Sequence, residues 1–332
     1  MEQWLARETD ETPYSRLTPE AIIAAVEAAG VRADGRVLAL NSYENRVYQV
    51  GVEDGEPVIA KFYRPGRWTR AQILEEHGFA LELAAAEIPV VAPLVIDGQT
   101  LIEHGGYAFA LYPRRGGRWP DLDTHDDRLW MGRFLGRLHR VGAARAFSAR
   151  GRLDAEAIAL AAARTVLEGG WLPDYLVDRY HEAAEGITER LAAVFEACAP
   201  RFVRIHGDCH RGNILWTPAG PHFVDLDDCL MGPAIQDLWM LLAGGREEMR
   251  AQLADLIEGY DQFAAFDTAE LPLIEPLRAL RMLHYAAWLA RRWHDPAFPL
   301  AFPWFGAPRY WEEHVRQLAE QREALDEPPL RL

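Results

Sequence analysis

The pattern of apolar residues changes once along this chain, and that change limits the folds open to it. After Gly30 and up to about residue 112, apolar residues come in short runs: Val37–Leu40, Arg46–Val52, Val58–Phe62, Thr100–His104 and Tyr107–Leu111. Runs so rich in β-branched and aromatic side chains predict strands, and Asp54-Gly55 predicts a hairpin turn between the second and third. One helix is predicted ahead of them. It opens at Thr18-Pro19-Glu20, with a hydroxyl cap, a proline at the first position and a carboxylate at the positive dipole end, and closes at Gly30. A second is predicted at about Thr69–Ala86, ended by Pro89 and Pro93. Beyond Tyr112–Pro120 (YPRRGGRWP) helices dominate: Arg128–Arg140, Ala155–Leu167, Tyr175–Cys198, Glu247–Phe263, Leu277–Trp293 and Trp311–Leu325. That Gly-, Pro- and Arg-rich loop is the expected domain boundary. The expectation is an α+β chain with a small β-rich lobe at 1–112 and a larger helical lobe at 113–332.

The helical part is interrupted once, by HGDCHRGNILW at His206–Trp216 and FVDLDD at Phe223–Asp228. Carboxylates inside apolar runs are costly unless they meet cations or hydrogen-bond donors. Asn213 follows Asp208 by five residues, and Asp225 follows Asn213 by twelve. This is the spacing logic of phosphoryl transfer, in which one carboxylate orients the attacking hydroxyl while an Asn and a second Asp hold magnesium. Asp208 is the candidate catalytic residue; Asn213 and Asp225 are the candidate metal ligands. His206 is as well explained by packing and hydrogen bonds in the loop. A zinc-like site of histidines and carboxylates in HGDCH is the weaker alternative.

A nucleotide needs a cation as well. Lys61, in VIAKFYR, lies on a predicted strand and is the only lysine among 35 basic residues. Its compact charge suits phosphate contact. Glu76 is its preferred partner on the following helix, with Glu75 the alternative. No GxGxxG is present; Ser42 and the backbone of Asn41–Asn45 are the candidate phosphate loop. Backbone groups near Leu111–Pro113 are expected to meet adenine. Asp237, in Asp237-Leu238-Trp239, is expected to brace the loop carrying Asp208. The aromatic stretch Arg291–Trp311 is read first as core and second as a groove wall. Gly132 and Gly136 predict close helix packing.

Composition removes other classes. Fifty acidic against 35 basic side chains give a net charge of −15, which disfavours broad binding to nucleic acid or anionic membranes. No apolar run approaches the roughly 20 residues of a membrane span, and MEQWLARETDETPYSRLTPE has no secretory pattern. Three scattered cysteines, Cys198, Cys209 and Cys229, exclude a disulfide scaffold. A cytoplasmic monomer is expected, with no nucleic-acid or membrane partner.

HGDxHxGN followed by an apolar-DxDD strand resembles the aminoglycoside phosphotransferase and choline kinase group. LNSYENRVYQV, KFYRPGRWT, ILEEHGFALEL, FVDLDDCLMGPAIQDLWMLL, FDTAELPLIEPLRALR and RRWHDPAFP further resemble the bacterial stress response kinase A family, from about Thr18 to the C-terminal EPPL. The resemblance implies the bilobal protein-kinase-like fold and a cytoplasmic serine/threonine protein kinase. It also implies dependence on ATP and magnesium, autophosphorylation and a role in stress survival. Carried onto this chain, it implies Ser42 in the nucleotide loop, Asp208 in the active site, and Asn213 and Asp225 on magnesium. Classical protein kinases differ: Gly207 stands where their loop has Arg, and Asp225-Leu226-Asp227 where they have DFG. A small-molecule kinase of the same fold and an ATP-binding pseudokinase are the alternatives.

Overall fold

The structure, a computed structural model, describes residues 12–332. Met1–Glu11, the first part of the stretch read above as having no secretory pattern, lie outside the described residues. Helix α1 (Pro19–Ala28) begins where Thr18 accepts the Ala21 N–H. Strands β1 (Ala33–Ala39), β2 (Arg46–Val52) and β3 (Val58–Phe62) follow, then α2 (Arg70–Ala85), β4 (Ile102–His104) and β5 (Tyr107–Pro113). The sheet runs β1-β2-β3-β5-β4, every pair antiparallel. One face buries Val50, Phe62 and Phe109 against Ile22 and Val26 of α1. Lys61 sits mid-sheet, opposite Val47 and Ala110, and α2 opens with Thr69 and Gln72 capping each other.

The remainder is mainly helical: α3 (His125–Gly142), α4 (Ala155–Glu168), α5 (Asp174–Cys198), α6 (Ile235–Trp239), α7 (Arg246–Tyr260), α8 (Ile274–Arg292), α9 (Ala297–Ala301) and α10 (Pro308–Ala324). Tyr180, Leu191, Leu283, Phe298, Phe305 and Trp311 form its largest core, so much of the aromatic stretch expected as core is core. Gly132 and Gly136 let α3 lie directly on α7, since a Cβ at either would run into the backbone of Leu256 or Tyr260. Between α5 and α6 come β6 (Val203–Ile205), β7 (Ile214–Thr217), β8 (Gly220–Phe223) and β9 (Leu230–Gly232), paired β6-β9 and β7-β8.

Differences from expectation are local. Strand β5 runs two residues into the expected loop because Tyr112 and Pro113 pair with Ile59 and Val58. Helix α3 starts three residues early because Thr124 caps it. β9, α6 and α9 span only three to five residues, too short for a periodic signal.

The loop between β1 and β2 is tied to the C-terminal helices. Glu44 accepts from Trp288 (2.5 Å) and pairs with Arg292 (2.7 Å). Asp295 takes Arg46 (2.9 Å) and the fully buried Arg64 (2.7 Å), while Tyr43 packs on Phe302 with ring centroids 4.9 Å apart.

Candidate functional site

A cleft of about 820 Å³ separates the sheet from the helices. Ser42, Lys61, Glu76, Asp208, Asn213 and Asp225 all line it, although they lie up to 183 residues apart in sequence. Strand β6 pairs with β9 and delivers the chain to a loop at His206–His210, which runs into a single 3₁₀ turn at Arg211–Asn213.

The backbone of this loop is held from below. Asp237, fully buried, accepts the N–H of His206 (2.8 Å) and of Gly207 (2.9 Å), and meets His139 Nε2 at 3.0 Å. His206 is buried and bonded to the Val224 carbonyl (3.0 Å). Its role is packing and loop geometry. Asn213 donates its side-chain amide to the Asp208 carbonyl (3.0 Å), which leaves its oxygen as the remaining ligand atom.

Asp208 receives Arg281 Nη1 at 2.6 Å, and His210 Nε2 lies 3.4 Å away. Burial pushes its carboxyl up, but the His210 hydrogen bond and the Arg281 guanidinium outweigh that and hold it well below the usual carboxylate range. It is ionised at any working pH.

Asp225 stands at the head of a second 3₁₀ turn, Leu226–Asp228, with φ 59° and ψ 68°. A non-glycine residue in the left-handed region costs roughly 1–3 kcal/mol and persists only where its surroundings enforce it. Here its carboxylate is aimed at Lys61 Nζ, 2.9 Å away. The same ammonium lies 3.3 Å from Glu76 and 3.1 Å from Asp227. Burial opposes its charge, but Asp225, Asp227 and Glu76 prevail and hold it well above its ordinary value. Of the two candidate partners, Glu76 is the one that meets Lys61; Glu75 instead accepts backbone N–H groups of Ser148, Ala149 and Arg150. Ser42 lines the cleft, but its hydroxyl works inside its own loop, donating to Leu40 O and accepting from Val47 N. Tyr112 and Pro113 line the cleft on the sheet side.

Sequence reasoning misses three arginines. Arg67 pairs with Asp227 and Asp228, each at 2.5 Å. Arg150 pairs with Glu76 at 3.2 Å and donates to the Asp227 carbonyl at 2.6 Å. Arg281 holds Asp208. Only Arg67 carries a sequence hint, six residues after Lys61; Arg281 and its partner are 73 residues apart. Lys61, Arg67 and Arg150 thus face four carboxylates, Glu76, Asp225, Asp227 and Asp228.

That excess of negative charge, with Asp225 half-exposed and Asn213 lining the same cleft, fits a hard divalent cation. Magnesium takes one or two protein oxygens and completes its shell with water and phosphate. Among the described residues, no three His, Cys, Asp or Glu side chains converge into a closed metal cluster, as a zinc site in HGDCH would require.

Comparison with known proteins gives the same direction. Residues 36–274 match the phosphotransferase enzyme family designated APH. Stress response kinase A of Escherichia coli O157:H7 is 47% identical over 321 residues, covering 96% of this chain and 97% of that protein. The serine/threonine protein kinase RdoA of Salmonella typhimurium is also 47% identical, with the same coverage. Amicoumacin kinase hAmiN, solved with AMP-PNP, Ca²⁺ and Ami, superposes with a TM-score of 0.68 over 93% of this chain and 94% of that one, at 18% identity. The chain therefore belongs to the phosphotransferase enzyme family and, within it, to the stress response kinase A group, and is an ATP-dependent phosphotransferase on an α+β fold.

Proposed function

We propose that this protein is a serine/threonine protein kinase acting in a stress response, a cytoplasmic monomer that also phosphorylates itself. The observation that carries the reading is the meeting of Asp208, Asn213, Asp225 and Lys61 in one cleft, with Lys61 2.9 Å from Asp225 and Asn213 bonded to the Asp208 backbone. The names of the close relatives support a protein acceptor.

In this reading residues 1–112 form the nucleotide lobe and 113–332 the acceptor lobe. ATP lies under the Ser42 loop, its adenine against the backbone at Leu111–Pro113. Lys61, steadied by Glu76, contacts the phosphates. The Asn213 amide oxygen and the Asp225 carboxylate would hold magnesium, whose charge would offset that of the transferred phosphoryl group. Asp208 accepts a hydrogen bond from the acceptor hydroxyl and aligns it for in-line attack on the γ-phosphorus. Its strongly acidic character makes it a weak base. That suits a loose transition state, in which the hydroxyl proton leaves late and positioning matters more than basicity.

The test is incubation with labelled ATP and magnesium, beside Asp208→Ala, offering a generic protein, an aminoglycoside panel and choline. Label on the kinase or the protein is expected, reduced about a hundred- to ten-thousandfold in the variant, with ATP binding retained. Label on a small molecule alone would transfer the assignment to small-molecule kinases. ATP binding without transfer would support a pseudokinase.

A further inference from the structure

Every other tryptophan among the described residues meets another ring, a cation or a hydrogen-bond acceptor. Among those residues Trp119 meets none of these, and at 68% it is the most exposed of them. It nevertheless lines the cleft. The loop that carries it is fastened to β7. The Arg118 N–H donates to the Trp216 carbonyl (3.0 Å), and the Trp216 N–H donates to the Arg118 carbonyl (2.7 Å). Gly117 lies so close to Leu215 that a Cβ there would stand 2.8 Å from the leucine's own, and Pro120 is buried. An indole set at a cleft wall by its backbone, and left uncovered, is a ready contact for a ligand with a flat apolar face.

Strand β3 gives the cleft its direction. Lys61 and Ile59 both line it, two residues apart on one face of the strand, a separation of about 7 Å. Ile59 pairs with Tyr112 and Val58 with Pro113, and Tyr112 and Pro113 line the cleft as well. One end of the cleft is thus cationic, at Lys61, and the other apolar, at Ile59 and Pro113. The chain leaves β5 for the Trp119 loop at the apolar end. The wall that meets the reacting groups is a different one: it is α8, whose Arg281 touches Asp208 and whose Trp288 is bonded to Glu44. We infer that Trp119 is an affinity residue for the nucleotide, its indole lying against the base and ribose of bound ATP at the apolar end of the cleft. The inference rests on the nucleotide placement proposed above. Stacking on an aromatic ring tolerates any base, so Trp119 supplies affinity, and the choice of adenine falls to the backbone at Leu111–Pro113.

The test compares the full-length protein with Trp119→Ala and Trp119→Phe in magnesium. The Kd for AMP-PNP is measured by calorimetry, and KM for ATP and for a generic protein acceptor by labelled transfer. Because the side chain is exposed, both variants are expected to unfold within about 2 °C of the parent when no nucleotide is present. Trp119→Ala is expected to raise the Kd for AMP-PNP and the KM for ATP about tenfold, leaving kcat and the KM for the acceptor unchanged. Trp119→Phe keeps an aromatic face and should recover most of that loss. An unchanged Kd in Trp119→Ala would overturn the inference and leave the proposed function standing. So would a raised KM for the acceptor alone, which would give Trp119 to the acceptor side. Equal losses in Trp119→Phe and Trp119→Ala would overturn contact through the ring. A parent protein that binds no AMP-PNP would overturn the inference and the proposed function together.

Discussion

Asp237 uses its two carboxylate oxygens on the backbone that carries Asp208. Its acceptors serve the N–H groups of His206 and Gly207 in a fully buried setting. Removing them orphans two buried donors, each costing about 1–3 kcal/mol. Asp237→Ala is therefore expected to lose about 2–6 kcal/mol, read as a fall of several degrees in Tm. Asp237→Asn, which keeps one acceptor oxygen, should fall by roughly half as much. Its role as a brace is legible from its place in Asp237-Leu238-Trp239. The donors it serves are not, since no pattern in the sequence says that His139 completes the trio from α3. Arg150 and Arg281 escape sequence reasoning for the same physical reason: an arginine in a helix or loop looks like any solvated cation until folding brings its carboxylate to it.

At the scale of elements, the short segments carry more than their length suggests. Glu270, in the 3₁₀ run Thr268–Leu273 that feeds α8, accepts the Ile235 N–H at the start of α6 (2.9 Å). Burial lifts its carboxyl from an ordinary 4.5 to about 7, partly offset by that hydrogen bond. Its pKa is thus higher folded than unfolded, so the native state holds a proton that the unfolded chain has released. Stability from this group is complete below about pH 4.5 and is lost as pH rises toward 7. Glu270→Gln keeps the acceptor without the titration. Its Tm relative to the parent should rise from pH 5 to pH 8, by the equivalent of at most about 3 kcal/mol. The β-rich order from β1 to β5 and the long helices are legible because their periodicity runs over many residues. The 3₁₀ turns that seat Asn213 and Asp225 are not, because three residues carry no period and their conformation is imposed from outside.

At the scale of the molecule, the loop bearing Ser42 is joined to the C-terminal helices through Glu44, Arg46 and Arg64. No helix among the described residues is long and apolar enough to cross a membrane. The ion pairs of Asp295 cross 249 residues of sequence to reach Arg46 and 231 to reach Arg64. Arg64 has no exposed side-chain surface and keeps Glu44 at 3.2 Å, so Asp295→Ala removes one of its two carboxylates, a loss of about 1.5–3 kcal/mol. The loss should appear as a lower Tm. A raised KM for ATP should accompany it, because the loop over the cleft is no longer anchored.

Lys61 gives the chain a property that most proteins lack. Apart from the α-amino terminus it is the only primary amine. In the folded state it is 6% exposed and kept charged by three carboxylates. Acylating reagents act on neutral, accessible amines, so acylation at this side chain tracks how often the cleft opens or the chain unfolds. A single mass increment, placed by peptide mapping, would serve as a clock for that opening without any engineered label.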